Sequence, residues 1–197
     1  MPPLPPNTQA LVLIHVAMFC LQNIWSPLTP LLELWPLGRN FFPWQVVTYS
    51  FLHDPTSMGH LFFNMLGLWM FGSELELVWG RKRYLQFYFA SVLAAAAAQL
   101  VLGLVTGSQS PTLGASGGVY GLLLAFGMMF PNRTIVPLIP PIPMKARTFV
   151  LVFGALELIQ GVFFMAGGIA HFAHLGGMLG GWLMIRYWRK QPPFGRK

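Results

Sequence analysis

Ser116 stands in Gly114-Ala115-Ser116-Gly117 at the opening of one apolar segment, and His174 follows Ala173 inside another near the C-terminus. A serine hydroxyl is a weak nucleophile until a base takes its proton, and an imidazole is the side chain suited to that task. A histidine within an apolar span is costly and marks function. A third apolar segment carries His60 and Asn64, four apart and so on one helical face. Acyl transfer needs donors preplaced for the oxygen that becomes charged. His60, Asn64 and the Ser116 N–H at a helix start are the candidates for that oxyanion hole. Tyr120 lies one turn past Ser116 and is placed to brace the imidazole. Gly114 and Gly117 flank Ser116 and support the pair by letting the turn and the helix face come close.

These residues need elements that hold them in an apolar medium. The chain has 197 residues, 55% hydrophobic and 9% charged, with mean hydropathy +0.59. Soluble domains carry about 25% charged residues, so the composition is that of an integral membrane protein. The expected architecture is all-α and polytopic, one membrane domain over 1–197 with no separate soluble domain. Its six spans fall at about 9–25, 60–79, 84–106, 115–130, 147–166 and 169–187. Met1 to Ala10 carries no Lys or Arg, so the first apolar segment is expected to be retained rather than cleaved as a signal peptide. The single Cys20 excludes a disulfide framework and reads as a packed residue. The long connection from Ser26 to Gly59, with Trp25 just before it, contains Trp35, Phe41, Phe42 and Trp44. Such aromatics favour the membrane interface, so this loop is expected to be membrane-associated.

Eleven of the twelve basic residues fall on one face of this topology: Arg81, Lys82, Arg83, Arg133, Lys145, Arg147, Arg186, Arg189, Lys190, Arg196 and Lys197. Only Arg39 falls on the other. The positive-inside rule makes the basic face cytoplasmic, with both termini inside. The net charge of +7 is thereby explained by orientation and anionic lipid, and no nucleic-acid partner is expected. Counting 1.5 Å per residue from the basic anchors puts Ser116 roughly 8 Å and His174 about 12 Å below the outer boundary of a core of about 30 Å. Span four is short, so the Gly107–Gly114 loop must dip into the membrane, which is tolerated where backbone is buried in protein or lines a wet cavity. Gly117, Gly118 and Gly121 on span four, and Gly176, Gly177, Gly180 and Gly181 on span six, favour close approach of the two helices.

The ordered set His60-x-x-x-Asn64, Gly114-x-Ser116-Gly117 and Ala173-His174-x-x-Gly177-x-x-x-Gly181 resembles the rhomboid intramembrane serine proteases over about residues 9–188. The resemblance implies a six-helix bundle with a Ser–His dyad in a wet cavity open to the outside. It implies Ser116 as nucleophile, His174 as general base, His60 and Asn64 as oxyanion donors, and Tyr120 packed on the base. It also implies cleavage of the transmembrane segments of single-span proteins near their outer ends, a bacterial inner membrane and no cofactor. Two positions depart from the pattern. Trp44-Gln45 stands where the family commonly shows Trp-Arg, removing an expected anchor of the first loop. His53 and His60 are seven apart where five is common, suggesting a two-residue insertion.

His171 lies three before His174 on the same face and rivals it in depth; the family motif favours His174, leaving His171 as a hydrated residue near the cavity mouth. Glu157 lies about 15 Å into the membrane. It can complete a Ser–His–Glu triad, but the family's dyad favours a protonated or hydrogen-bonded residue near the gate, and Glu157→Gln is then expected to keep most activity. His15 reads as a packing or interfacial residue, Glu74 and Glu76 as partners of Arg81 to Arg83, and Pro137 to Pro143 as an extended linker. Two other functions compete. One is a helix-binding relative that does not cut. The other is a metal-dependent membrane protein using His171, His174, His53, Asp54 and His60; carboxylates are scarce, no His-Glu-x-x-His helix occurs, and no metal is expected.

Overall fold

In the computed structural model of the chain, residues 4–38, 40–138, 140–163 and 168–194 are described. Arg39, Arg196, Lys197 and residues 164–166 of the expected fifth span lie outside them. The long helices are α1 (Pro6–Ile24), α4 (Met58–Gly67), α5 (Ser73–Thr106), α6 (Ser116–Met129), α7 (Ala146–Phe163) and α8 (Gly168–Trp188). A π-turn at Leu68–Gly72 joins α4 to α5 without a break. The chain reverses inside α5 at Gly80, whose φ of 75° lies in the left-handed region that glycine enters without strain. The expected second and third spans are therefore the two arms on either side of Gly80. Pro6–Ile24, Met58–Thr106 and Ala146–Phe163 are long and apolar enough to cross a membrane. The protein is a helical membrane bundle.

Two short helices, α2 (Leu28–Leu32) and α3 (Gln45–Thr48), lie in the first loop. The missing arginine anchor is replaced rather than lost. Gln45 is fully buried, and its amide donates to the carbonyls of Leu31 and Asn40 while accepting from the N–H groups of Trp35 and Phe42. An amide both donates and accepts, so one side chain ties four backbone groups. Indole N–H groups hold the aromatic rim inward, Trp35 to Pro30 O at 3.0 Å and Trp44 to Leu31 O at 3.1 Å. The faces of Trp25, Phe42 and Trp44 stay exposed.

The core is built on α5. Tyr84, Phe87, Tyr88 and Val92 are buried there with Leu68, Leu75 and Leu122. The alanine run 94–98 lets α8 approach closely: a Cβ at Gly176 would overlap Ala98 Cβ and one at Gly180 would overlap Ala94 Cβ. Small residues thus set the α5–α8 contact as well as the expected α6–α8 one.

At the basic end, two expectations are corrected. Glu74 pairs with Arg133, not with Arg81 to Arg83. Glu76 is buried and accepts from Asn7 N at 2.9 Å, Thr8 N at 2.7 Å and the Thr8 hydroxyl at 2.8 Å. The cap residue of α1 is Pro5, which offers no side-chain acceptor, so Glu76 satisfies those first-turn donors from a neighbouring helix. Of the two places open to Cys20, lipid level or core, its exposure on the membrane-length helix α1 fits the first. His15 is fully buried, as a packing residue, with Nε2 3.2 Å from the Tyr88 hydroxyl. The proline-rich linker is bracketed by a two-residue antiparallel ribbon, β1 (Thr134–Ile135) with β2 (Met144–Lys145).

Candidate active site

Ser116 is the first residue of α6. At 14 residues the helix is about 21 Å long, shorter than a bilayer core of about 30 Å. The backbone before it is held from the first loop. Leu34 and Thr112 form an antiparallel bridge, and Gly114 N–H donates to Tyr49 O at 3.0 Å. Gly114 has φ of 130°, a conformation L side chains rarely adopt. A Cβ there would also stand 3.1 Å from His60 Nε2 and 3.6 Å from Ser116 Oγ.

His174 on α8 meets Ser116 directly: Nε2 lies 2.7 Å from Oγ. The ring stacks flat on Tyr120, with centroids 4.3 Å apart and planes 5° apart. Close backbone packing makes this reach possible, since a Cβ at Gly177 would overlap the Gly117 carbonyl. A proton on Ser116 therefore has an acceptor in line, and the acceptor's ring plane is held.

His60 lies in the first turn of α4 beside this pair. The Asp54 N–H donates to His60 Nδ1 at 3.3 Å. A neutral imidazole that accepts at Nδ1 carries its proton at Nε2, and Nε2 is the atom beside Gly114. Asn64 is nearly buried, and one of its Nδ2 hydrogens goes to His60 O at 2.8 Å, leaving the second. A turn over residues 54–57 leads into α4. The Asp54 carboxylate accepts from the Thr56 hydroxyl at 2.7 Å and N–H at 2.9 Å, and these bonds hold its pKa below the ordinary value. Ser57 then caps α4 by accepting from His60 N–H. His53 packs edge-on against His60 with centroids 5.2 Å apart.

The two ambiguous residues both join the cluster. His171 Nδ1 lies 2.5 Å from Glu157 Oε2, so His171 is tied to a carboxylate instead of standing free at a cavity mouth. The Tyr120 hydroxyl donates to Glu157 Oε1. His174 Nδ1 lies 2.9 Å from Glu157 Oε2, off the line of a hydrogen bond and with no other partner. Sequence reasoning found Glu157 by its depth but set it near the gate. Glu157, His171 and His174 offer donor atoms within 4.8 Å of one another. Ligands around a tetrahedral zinc, each about 2.0–2.3 Å from it, stand well over 3 Å apart. The 2.5 and 2.9 Å separations are shorter than that spacing. His53, Asp54 and His60 belong to a different cluster around the first loop.

The apolar helical bundle defines the class, a polytopic integral membrane protein, and a serine and an imidazole stand at hydrogen-bond distance within it. A profile of the Rhomboid domain matches residues 40–191, and the chain belongs to the rhomboid family. It is 29% identical over 188 residues to Rhomboid protein 1, mitochondrial, of Saccharomyces cerevisiae, covering 92% of this chain and 54% of that protein. It is 32% identical over 154 residues to Presenilin-associated rhomboid-like protein A, mitochondrial, of Danio rerio, covering 75% and 39%. It is 27% identical over 183 residues to the rhomboid protease GlpG of Klebsiella pneumoniae, covering 91% and 62%. The chain thus spans less than two thirds of the length of each.

Proposed function

We propose that the chain is an intramembrane serine endopeptidase that cleaves transmembrane segments of other membrane proteins. The observation that carries this reading is the 2.7 Å contact between His174 Nε2 and Ser116 Oγ with Tyr120 stacked on the ring. His174 takes the Ser116 proton as Oγ attacks the scissile carbonyl, and the carbonyl oxygen becomes an oxyanion. His60 Nε2–H, the remaining Asn64 N–H and the Ser116 N–H are the donors available to it. His174 then returns the proton to the leaving amine, and the acyl-enzyme remains. Water, deprotonated by the same imidazole, hydrolyses the ester and restores Ser116. These residues need no cofactor for those steps.

The substrates are single-span membrane proteins with helix-weakening residues near their outer ends, because a peptide bond must leave its helix before Oγ can reach it. Residues 1–197 act as one membrane domain in a bacterial inner membrane, with both termini cytoplasmic. The clustered basic residues support that orientation.

The test is labelling and cleavage in detergent or proteoliposomes. A fluorophosphonate is expected to label the wild type at Ser116, and a single-span reporter is expected to be cut. Ser116→Ala should lose both, with a fall in kcat of at least about 10³-fold. A wild type that binds the reporter but is neither labelled nor able to cut it would assign the chain to helix binding without hydrolysis.

A further inference from the structure

Four ionisable or hydroxyl side chains from three helices converge beside the nucleophile. Glu157 is contributed by α7, His171 and His174 by α8, and Tyr120 by α6. Glu157, His171 and His174 keep 10%, 18% and 15% of their side-chain surface, so the cluster is largely buried and its charges are weakly screened. Its geometry is directional. Oε1 of Glu157 accepts from Tyr120, while Oε2 faces both His171 Nδ1 and His174 Nδ1. An ionised carboxylate only accepts, and every partner here has a hydrogen to give. His174 has its other nitrogen on Ser116 Oγ. His174 thus stands between Ser116 and Glu157, hydrogen-bonded to the hydroxyl through Nε2 and 2.9 Å from the carboxylate at Nδ1.

We infer that Glu157 is the positioning residue of a Ser116–His174–Glu157 triad, with Tyr120 and His171 fixing its carboxylate. The inference rests on the proteolytic reading above and extends it beyond a dyad. A carboxylate at Nδ1 selects the tautomer in which Nδ1 carries hydrogen and Nε2 presents its lone pair to Ser116. When the imidazole takes the Ser116 proton, the carboxylate faces the new cation at 2.9 Å. The resting contact is off the line of a hydrogen bond, with the ring stacked on Tyr120. Catalytic hydrogen bonds often align only once substrate is bound. His171 also spares Glu157 from standing as an unpaired charge in an apolar bundle.

The role of Glu157 is carried entirely by His174, and that distinguishes it from a packing role. Glu157→Gln preserves size and removes the charge. In soluble serine proteases the corresponding change costs about 10⁴-fold in kcat; here Tyr120 and His171 retain part of the order, and a fall of roughly 30- to 1,000-fold is expected, with KM within about twofold of wild type. In a His174→Ala background, the same substitution should reduce the residual rate no further. Glu157→Asp keeps the charge one methylene shorter and should fall between wild type and the glutamine variant. Should the glutamine variant not accumulate, a kcat loss at unchanged KM in the aspartate variant supports the triad, and a wild-type kcat there overturns it. Three other results overturn it: Glu157→Gln within twofold of wild-type kcat, an equal further loss in the His174→Ala background, or an aspartate variant no faster than the glutamine one. An enzyme that never labels or cuts in its wild-type form would instead count against the proteolytic reading.

Discussion

At the site, the identity of each atom's partner decides what it can do. His60 illustrates this. Its Nδ1 accepts the Asp54 N–H, which leaves Nε2 as a donor beside Gly114 and Ser116. A donor at that place stabilises an oxyanion, whereas the opposite tautomer would repel it. His60→Ala is therefore expected to lower kcat by about 10²- to 10³-fold with little change in KM, measured on a cleaved reporter. The types and spacings of Ser116, His174, His60 and Asn64 were legible in the sequence because chemistry restricts them to few residue types. The tautomer was not legible, because it depends on a backbone N–H in the turn that precedes α4. Gln45 was misread for a related reason. Without its neighbours it looks like a lost cation; within the loop it is an amide with four backbone partners. Gln45→Ala should strand those groups and destabilise the fold by about 1–3 kcal/mol, read as a lower Tm and faster proteolysis of the first loop.

Among the helices, the approach of α8 to α6 and α5 controls whether the base reaches the nucleophile. The α6–α8 contact is tightest at Gly177, where a side chain would overlap the Gly117 carbonyl. A backbone atom cannot step aside as a flexible side chain can, so Gly177→Val must push α8 away from α6. A shift of about 1 Å is enough to break a 2.7 Å contact between Nε2 and Oγ. The variant should lose fluorophosphonate labelling at temperatures where it is still folded, with a destabilisation of about 1–3 kcal/mol or more. Glycines on the last span announced one close contact in the sequence. The alanine run 94–98 that receives the other side of α8 carried no such signal, since alanine is common in any apolar helix.

Across the whole molecule, charges sort to one end and the chemistry to the other. The basic end is closed by side chains that reach between helices: Arg133 to Glu74, and Glu76 to the first turn of α1. Glu76→Ala would leave those α1 donors unpaired and is expected to lower stability by about 1–2 kcal/mol, measured by thermal unfolding in detergent. It should leave the Ser116 contact in place, because Glu76 lies at the far end of the bundle. A reporter fused after residue 197 should score as cytoplasmic; a reporter scoring outside would reverse the orientation drawn from the basic residues.

Counting along the chain is enough to say how deep a residue lies, which residue types face one side of a helix, and where charge stops a span. Those are one-dimensional quantities set by 1.5 Å per residue and by the cost of placing charge in lipid. They put Ser116 and His174 near one depth and made Glu157 a candidate. They are silent on which helix stands next to which, and on how each is turned about its axis. Packing settles that, through small residues on α5, α6 and α8 that admit only close neighbours. Bringing α7 against that trio is what sets the Glu157 carboxylate beside the imidazole, a relation between three helices that no spacing within one of them encodes.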